Sequence, residues 1–318
     1  MFDVTALGEL LIDFTPCGKS PAGQNLFEQN AGGAPANVLA ALCKCGKKTA
    51  FLGKVGADMH GTFLRGVLEE NGIDTQGLIT DEKVFTTLAF VALSETGERS
   101  FSFARKPGAD TCLTPEEVAD SVIDQSRIFH IGSLSLTADP ARSATYRALE
   151  LAKESGCVIS YDPNYRAPLW DNREAAIQEM RGVLPYVNVM KLSDEETLLL
   201  TDCAAPEEAA KKLVAGGIPL VAVTLGAEGA LVCTKEGTAK VAGFSSKVVD
   251  TTGAGDCVWG GFLNQLSESG KHPKDVTLEE ARGFARFANA CASLCVERRG
   301  AIPAMPERNE IEERMKNE

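Results

Sequence analysis

The sequence predicts an α/β protein in which helices cover both faces of an open, mainly parallel sheet. The first observation is that short apolar runs alternate with amphipathic helical patterns from Ile128 onward. The second is a length of 318 residues with 44% hydrophobic side chains, which is ample for a large core. The third is a pair of hairpin-like insertions, at residues 14–30 and 85–104, which we expect to form a small separate sheet.

The first part of the chain contains both kinds of pattern. Met1–Phe14 reads as a strand because apolar residues recur along it, and Leu26–Asn30 reads as a short return strand after a polar turn. A proline at a first helical position indicates a helix from Pro35. A strand over Thr49–Val55 and a helix over Gly61–Asn71, followed by a glycine, complete this part.

The second insertion has the pattern of a hairpin. Phe85–Leu93 and Ser100–Phe103 are strand-like, and Glu95–Glu98 between them has the composition of a turn. We therefore expect the chain to divide into two parts. The α/β core comprises residues 1–13, 31–84 and 105–318, and the small sheet comprises residues 14–30 and 85–104.

The rest of the chain alternates regularly, which is typical of βα units in a mainly parallel sheet. The expected strands are Ile128–Ile131, Val158–Tyr161, Val187–Lys191, Leu220–Thr224 and Ala230–Thr234. The expected helices are Ala141–Ser155, Arg173–Leu184, Glu195–Thr201, Pro206–Gly216 and Leu278–Val296, and the tail from Glu307 to Glu318 is charged and amphipathic.

The charge of the chain argues against several classes of partner. Its 32 basic and 44 acidic residues give a net charge of −12 without any basic block, so nucleic acid and anionic membranes are poor partners. The sequence begins without a signal-like apolar run, and no apolar stretch approaches the roughly 20 residues that span a bilayer. We expect a soluble, cytoplasmic protein.

The ten cysteines do not form a metal-binding pattern. They include no CxxC pair, and we interpret them as reduced, small core side chains of a cytosolic protein. Three histidines, His60, His130 and His272, lie far apart and without metal-binding spacing. A zinc site and a histidine-based catalytic triad are therefore both disfavoured.

The most informative segment is Asp250-Thr251-Thr252-Gly253-Ala254-Gly255-Asp256. It follows a strand-like run, Lys247–Val249, and opens a helix-like one, so residues 253–255 are expected at a helix N-terminus with outward N–H groups. Such groups bind anions, and glycine lets a phosphate approach the backbone closely. A carboxylate would repel that phosphate, so we interpret Asp256 as the base that takes a proton from an attacking hydroxyl.

Other polar residues are expected at the same edge of the sheet. Asp13, Asp162, Thr224 and Asp256 each lie at or just beyond the end of a predicted strand, where open α/β sheets bind ligands. Helix caps and turns also favour these residue types, so the indication comes from their convergence. The chain has neither a Walker A sequence nor a GxGxxG after its first strand, which argues against P-loop chemistry and against a nicotinamide dehydrogenase.

With these residues in view, the chain resembles the fructokinases of the ribokinase (phosphofructokinase-B-like) family of sugar kinases, essentially from end to end. The two family motifs correspond to Gly32–Asn37 with Gly53–Asp58, and to Asp250–Asp256. Further fructokinase-like segments are Gly8–Phe14, Ala109–Asp110, Ser160–Trp170, Val223–Gly226 and Arg299–Ala304. The resemblance implies a ribokinase-like fold, ATP-dependent phosphorylation of D-fructose to fructose 6-phosphate, and a small sheet that acts as a lid over the sugar and pairs between the subunits of a homodimer.

The resemblance also implies a role for each motif residue. Asp256 would be the catalytic base, and the backbone N–H groups of Gly253, Ala254 and Gly255 would form the anion hole. The sugar-binding residues would be Asp13, Gly32, Gly33, Asn37, Phe103, Arg105 and Arg166. The nucleotide site would include Lys191, Ser193, Thr224, Gly226, Gly229 and Asn289.

Two kinds of ion are implied beside ATP. Glu196 would hold Mg²⁺ through water, and Ser193 stands where the family's Asn-x-x-Glu motif has its asparagine. A monovalent cation, K⁺, would lie in a loop that corresponds here to Asp250, Thr252, Cys295, Arg298 and Gly300, largely through backbone carbonyls.

The sequence departs from the fructokinase pattern at two positions, and three alternatives stay open. Ala104 stands where many fructokinases have an aromatic residue, and Cys257 replaces a serine or alanine after the base. In a 2-keto-3-deoxygluconate kinase of the same fold, Arg105 and Arg166 would bind the substrate carboxylate. The others are a nucleoside kinase and a non-catalytic sugar-binding protein on the same scaffold.

Overall fold

A nine-stranded sheet forms the centre of the computed structural model, which describes residues 1–93 and 99–317. Its strands and those of a second, four-stranded sheet are, in chain order, β1 (Phe2–Leu7), β2 (Leu11–Lys19), β3 (Asn25–Gly32), β4 (Thr49–Gly56), β5 (Ile73–Asp81), β6 (Leu88–Leu93), β7 (Arg99–Ala104), β8 (Ser126–Ile131), β9 (Val158–Tyr161), β10 (Val189–Ser193), β11 (Leu220–Thr224), β12 (Ala230–Thr234) and β13 (Gly237–Val241). The large sheet has the order β13-β12-β11-β10-β9-β8-β1-β4-β5. Its neighbours are parallel except at β12, which runs antiparallel to both β11 and β13.

Helices cover both faces of the large sheet. In the described part of the chain they are α1 (Ala34–Lys44), α2 (Met59–Glu70), α3 (Asp120–Ile123), α4 (Ala141–Glu154), α5 (Arg173–Gly182), α6 (Thr197–Thr201), α7 (Pro206–Ala215), α8 (Ala254–Ser269), α9 (Leu278–Cys295) and α10 (Arg308–Asn317). Apolar side chains of α1, α2, α8, α9 and α10 form one core with the sheet, and those of α3 to α7 form the other. Because both faces are buried, the central strands are largely apolar.

The two insertions form one small sheet, as the sequence predicts. The order is β3-β2-β6-β7, in which β2 is antiparallel to β3 and parallel to β6, and β6 is antiparallel to β7. The predicted turn at Glu95–Glu98 lies outside the described residues. The α/β class and the separate small sheet are therefore confirmed.

Two expectations about strands are wrong. Met1–Phe14 is not one strand, because β1 ends at Leu7 in the large sheet and β2 begins at Leu11 in the small one. Apolar residues continue across this crossing, which hides it in the sequence. Lys247–Val249 is irregular, and the side chains of Val248 and Val249 are exposed. Composition favours a strand there, but the segment has no strand beside it to pair with in the described structure.

The sequence analysis does not predict β5 or β13. Both are edge strands of the large sheet, and both are partly exposed. Their sequences mix polar and apolar residues, so that they lack the largely apolar run of the central strands. Edge strands are consequently the part of this sheet that the apolar pattern indicates least.

Helix α8 is fixed to the sheet by its first two turns. The indole Nε1 of Trp259 donates a hydrogen bond to Oγ of Ser160 on β9 at 2.9 Å, and the ring stacks on Phe262 at 5.2 Å between centroids. The hydrogen bond holds the first part of α8 near the carboxyl end of β9, the edge where open α/β sheets bind ligands. Within residues 1–93 and 99–317, no helix combines the length and apolar character that crossing a membrane requires.

Candidate active site

The Asp250–Asp256 segment lies where α8 begins. Gly253 is the residue before the helix and has a left-handed φ of 75°. A Cβ at this position would lie 2.8 Å from Cβ of Ala301, so glycine is required both by the backbone and by the space. The N–H of Ala254 donates to the carbonyl of Thr251 at 3.2 Å. Helix geometry leaves the N–H groups of the next two residues for a ligand.

Asp256 lies in the first turn of α8 and is 9% exposed. Its Oδ2 accepts a hydrogen bond from Nδ2 of Asn37 at 2.8 Å. Burial and then the negative charge of Asp162 raise the pKa of Asp256 to about 6, although the Asn37 hydrogen bond and the charges of Lys191 and Arg166 lower it. The carboxylate is therefore mostly ionised at neutral pH and is a stronger base than an exposed aspartate.

Asp13 and Gly32 lie on the paired strands β2 and β3. A Cβ at position 32 would lie 2.1 Å from Oδ2 of Asp13, so the carboxylate occupies the space of the absent side chain. Burial raises the pKa of Asp13 to about 6, while the charge of Arg166 lowers it and that of Asp256 raises it. These mutual effects indicate that Asp13, Arg166 and Asp256 lie close enough together for their charges to interact.

A cavity of about 510 Å³ opens beside Asp13, between the small sheet and the loops before α8 and after α9. Its lining combines apolar side chains and the charged pair Glu28 and Arg299 with hydroxyl, amide and carboxylate groups, which belong to Asp13, Thr15, Gln29, Asn30, Asp250 and Thr252. Such groups form hydrogen bonds in both directions with hydroxyls. The cavity is therefore suited to a small polyhydroxylated ligand.

Gly33 and Asn37 occupy the start of α1. Gly33 precedes the helix with a φ of 120°, and its carbonyl accepts the N–H of Asn37 at 3.0 Å. Oδ1 of Asn37 is buried and has no hydrogen-bond partner within the described residues. A buried amide oxygen of this kind is satisfied when a ligand donates to it.

Arg105 is directed into the protein. Its side chain is 5% exposed, and Nε donates to Oδ2 of Asp110 at 2.8 Å. The two terminal nitrogens donate to Oγ1 of Thr137 and to the carbonyl of Leu134, each at 2.9 Å. The positive charge is thus compensated by a buried carboxylate, and its donors are used within the core.

Arg166 differs from Arg105 because it is exposed. It donates to the carbonyl of Tyr165 at 3.1 Å, and its charge lowers the pKa of both Asp13 and Asp256. Arg166, unlike Arg105, therefore acts through its charge on Asp13 and Asp256. Phe103 lies on β7 of the small sheet and is half-buried, paired in register with Ala89.

A second cavity, of about 630 Å³, lies on the other side of the Asp250–Asp256 segment. Its lining includes four of the residues predicted for the nucleotide, together with the start of α8: Thr224, Gly226, Gly229, Asn289, Ala254 and Gly255. Nδ2 of Asn289 donates to the carbonyls of Val241 and Ala242, each at 3.0 Å. Asn289 therefore braces the cavity wall with its amide hydrogens.

Lys191 lies close to the start of α8. Its Nζ donates to Oδ2 of Asp162 at 2.7 Å, and a Cβ at position 255 would lie 3.2 Å from this Nζ. Burial opposes the charged form, but the carboxylates of Asp162 and Glu196 outweigh it and raise the pKa of Lys191. The site thus contains a buried ammonium group beside the turn that is suited to an anion.

Ser193 and Glu196 cap the short helical turn after β10. Oε2 of Glu196 accepts the N–H of Ser193, and Oε1 accepts the N–H of Tyr165, both at 2.7 Å. Glu196 thereby ties the loop after β9 to the end of β10. Oδ1 of Asp162 is buried nearby in this loop and has no hydrogen-bond partner in the described structure.

Hydrogen bonds of Asp250 bring together three of the five residues predicted to hold the monovalent cation, namely Asp250, Thr252 and Gly300. Oδ1 of Asp250 accepts the N–H and the hydroxyl of Thr252 at 2.9 and 2.7 Å, and Oδ2 accepts the N–H of Gly300 at 3.1 Å. The N–H of Arg298 donates to the carbonyl of Cys295 at 3.1 Å. The guanidinium of Arg298 pairs instead with a glutamate of α10. Among the described residues, no group of three or more His, Cys, Asp or Glu side chains could hold a metal.

Sequence reasoning missed the partners of several charged residues. It assigned no role to Glu9, and it did not pair Asp110 with Arg105 or Asp162 with Lys191. A signal existed for the last pair, because a lysine within the apolar strand Val189–Ser193 needs a carboxylate when it is buried. The corresponding partner could not be chosen without the fold.

A match to a family model decides the class of this protein. Residues 1–308 match the model of the pfkB family of carbohydrate kinases. The chain belongs to the pfkB family. The predicted family, and with it the expectation of a carbohydrate kinase, is confirmed.

Fructokinases are among the named relatives of this pfkB-family chain. It is 41% identical over 318 residues to the probable fructokinase-5 of Arabidopsis thaliana, covering 99% of this chain and 97% of the relative. A fructokinase structure from Xylella fastidiosa with bound ATP has a TM-score of 0.92 at 34% identity, covering 100% and 99% of the two chains. A fructokinase structure from Vibrio cholerae O395 with fructose, ADP and calcium has a TM-score of 0.89 at 33% identity, covering 99% of each. These matches confirm the ribokinase-like fold class.

Proposed function

We propose that this carbohydrate kinase transfers the γ-phosphoryl group of ATP to the 6-hydroxyl of D-fructose, with Asp256 as the base. One observation carries the proposal: the Asp250–Asp256 segment is the wall between two cavities. Asp250 and Thr252 line the cavity beside Asp13, and Ala254 and Gly255 line the larger one. A sugar in the first cavity and a nucleotide in the second would meet at the start of α8.

The chemistry follows from the residues at this wall. Asp256 takes the proton of the 6-hydroxyl while that oxygen forms a bond to the γ-phosphorus and the bond to the bridging oxygen of ADP breaks. Its pKa of about 6 keeps it ionised at neutral pH and able to accept the proton. The N–H groups at the start of α8 and the ammonium of Lys191 would stabilise the transferring oxygens, since preorganised donors act strongly where water is excluded.

The sugar would be held by the groups around Asp13. The carboxylate of Asp13 accepts two hydrogen bonds from neighbouring hydroxyls of the sugar. Gly33 and Asn37, at the start of α1, would also bind the sugar. The positive charge of Arg166 offsets part of the negative charge of the Asp13 and Asp256 carboxylates. The small sheet of β2, β3, β6 and β7 would act as the lid that excludes water from the reaction.

The pairing of Arg105 with Asp110 favours fructose over 2-keto-3-deoxygluconate as the substrate. A sugar acid needs an uncompensated cation for its carboxylate, and Arg105 is paired with Asp110 inside the protein. Of these two arginines, Arg166 acts on Asp13 and Asp256, and the two carboxylates already offset its charge. A neutral sugar fits this balance of charge better. The Vibrio cholerae relative, crystallised with fructose and ADP, supports the same choice.

The ions of the proposed reaction fit the oxygen groups of the site. Mg²⁺ takes oxygen ligands and retains water, and it would be held through water by Glu196, with the unpartnered Oδ1 of Asp162 beside it. A monovalent cation would be held by Asp250, Thr252 and the carbonyls around Cys295, Arg298 and Gly300. Both ions supply positive charge that offsets the charge of the polyphosphate.

We also propose a homodimer formed through the small sheet and a cytoplasmic location. Leu26, Phe27 and Phe90 lie on that sheet with exposed side chains, which a second copy could cover. Of the ten cysteines only Cys17 is exposed, and a chain with many buried thiols suits a reducing compartment. Light scattering during size-exclusion chromatography tests the dimer, and a monomer at micromolar concentration would contradict it.

A substrate panel tests the proposed function. Coupled ADP release is measured with Mg-ATP and, in turn, fructose, 2-keto-3-deoxygluconate, ribose, glucose, tagatose and adenosine. We expect the highest kcat/KM with fructose. Higher kcat/KM with the keto acid or with adenosine would reassign the substrate, and binding of a sugar without turnover of any member would indicate a non-catalytic protein.

A further inference from the structure

The crossing from the large sheet to the small one contains a buried glutamate. Glu9 lies between β1 and β2 and is 2% exposed. Its Oε1 accepts the backbone N–H of Ala34, the first residue of α1, at 2.9 Å. Helix starts leave such N–H groups without an intrahelical acceptor. The cap of α1 is therefore supplied by a side chain that is remote in sequence and belongs to the sheet crossing.

The crossing and the start of α1 are packed so closely that neither Gly8 nor Gly33 has room for a side chain. A Cβ at Gly33 would lie 2.3 Å from the carbonyl oxygen of Glu9, and one at Gly8 would lie 2.6 Å from Cγ of Pro35. Gly33 also has a φ of 120°, a conformation that side chains rarely adopt. The position of the turn before α1 is thus set by its contacts with residues 8 and 9.

That turn leads directly to the proposed base. The N–H of Asn37 donates to the carbonyl of Gly33 at 3.0 Å, and its Nδ2 donates to Asp256 at 2.8 Å. Any rotation of the first turn of α1 moves Gly33 and Asn37 together. It also moves the amide that holds the carboxylate of Asp256.

We propose that Glu9 is a positioning residue, which holds the first turn of α1 so that Gly33 and Asn37 are placed to bind the sugar. This inference rests on the proposed function, because it takes those two residues as sugar ligands. Glu9 itself is buried behind the turn, and it acts through the hydrogen bond to Ala34.

The hydrogen bond, rather than the charge, carries this role. Burial raises the pKa of Glu9 to about 7, against the effects of the backbone N–H groups of Glu9 and Ala34 and of the Arg105 charge. Oε2 is buried and has no hydrogen-bond partner within residues 1–93 and 99–317. A neutral side chain of the same length with one acceptor oxygen should therefore serve, whereas a shorter one should fail to reach Ala34.

Three substitutions separate these properties: Glu9→Gln keeps the length and an acceptor, Glu9→Asp keeps the charge but is shorter, and Glu9→Ala removes both. Steady-state kinetics with varied fructose and varied ATP are measured for each. Asn172→Ala is the matched control, because Asn172 caps α5 through the N–H of Ala175 at 2.8 Å and lies on a helix without proposed site residues.

We expect Glu9→Ala and Glu9→Asp to raise the KM for fructose at least tenfold while the KM for ATP stays within threefold of the parent value. Glu9→Gln should keep the fructose KM within threefold, and Asn172→Ala should lower only the melting temperature. If Glu9→Ala does not fold, Glu9→Asp against Glu9→Gln still decides. An unchanged fructose KM in Glu9→Asp, or equal rises for both substrates, would overturn the inference. Failure of the parent protein to phosphorylate fructose would instead refute the proposed function and remove the basis of this inference.

Discussion

Replacement of Asp256 by asparagine should separate activity from stability. The amide has the size of the carboxylate and can keep the contact with Asn37, whose Nδ2 lies 2.8 Å from Oδ2. It cannot accept the proton of the sugar hydroxyl. General-base contributions are about 10²–10⁴-fold, so we expect kcat to fall at least about a hundredfold while ATP affinity stays within about threefold.

The same substitution should not destabilise the fold. The pKa of Asp256 rises from its ordinary 3.8 to about 6, which at about 1.4 kcal/mol per pH unit corresponds to about 3 kcal/mol against the ionised form in the folded protein. A raised pKa means that the contribution of protonated Asp256 to the free energy of unfolding is fully present below pH 3.8 and is lost as the pH rises through 6. Asparagine stays neutral and avoids the cost of the buried charge, so at pH 8 the free energy of unfolding should be equal or higher in Asp256→Asn.

The assay combines three measurements on the same preparation. Coupled ADP release gives kcat, titration with a non-hydrolysable ATP analogue gives the nucleotide affinity, and urea unfolding at pH 8 gives the stability. A kcat within tenfold of the parent value would refute the assignment of the base. A kcat loss accompanied by equal loss of stability would show that the effect is on folding instead.

Three further outcomes are expected. In Asp13→Ala the KM for fructose should rise about 10–100-fold with the KM for ATP unchanged, because charge-assisted hydrogen bonds contribute about 1.5–3 kcal/mol each; impaired ATP binding with normal fructose KM would contradict this. Gly253→Ala should lose at least tenfold in kcat/KM, since its Cβ would meet Ala301 at 2.8 Å, whereas Gly156→Ala, which has a similar φ of 73° but no neighbour within 4 Å, should lose stability alone. The kcat/KM for fructose should fall below about pH 6, because Asp13 and Asp256 both have pKa values of about 6 and must be ionised; a pH-independent rate from pH 5 to 8 would count against both roles.

The parts of the fold that the sequence predicts are those set by local patterns. The buried strands of the βα units are largely apolar, and their helices carry amphipathic stripes, so periodicity indicates both. The crossing at residues 8–10 and the edge strands β5 and β13 lack such a signal. Whether a run of residues stays in one sheet or passes to another depends on tertiary pairing, which the sequence pattern of a single strand does not contain.

The candidate site divides in the same way. The start of α8 is encoded within seven consecutive residues, and its glycines and Asp256 are evident from that segment alone. The hydrogen bond from Asn37 to Asp256 joins residues that are 219 positions apart. Arg105 shows the limit most clearly, because the family resemblance implies that it binds the sugar, whereas the structure pairs it with Asp110.

The most direct test of the account is the identity of the product formed from ATP and D-fructose. Phosphorus-31 and carbon-13 NMR of the reaction mixture locate the phosphate on the sugar, and the ADP formed is measured in parallel. The account predicts fructose carrying one phosphate on O6, formed in a one-to-one ratio with ADP and absent with Asp256→Asn. Phosphate on another hydroxyl, or release of ADP with free phosphate and no sugar phosphate, would contradict it.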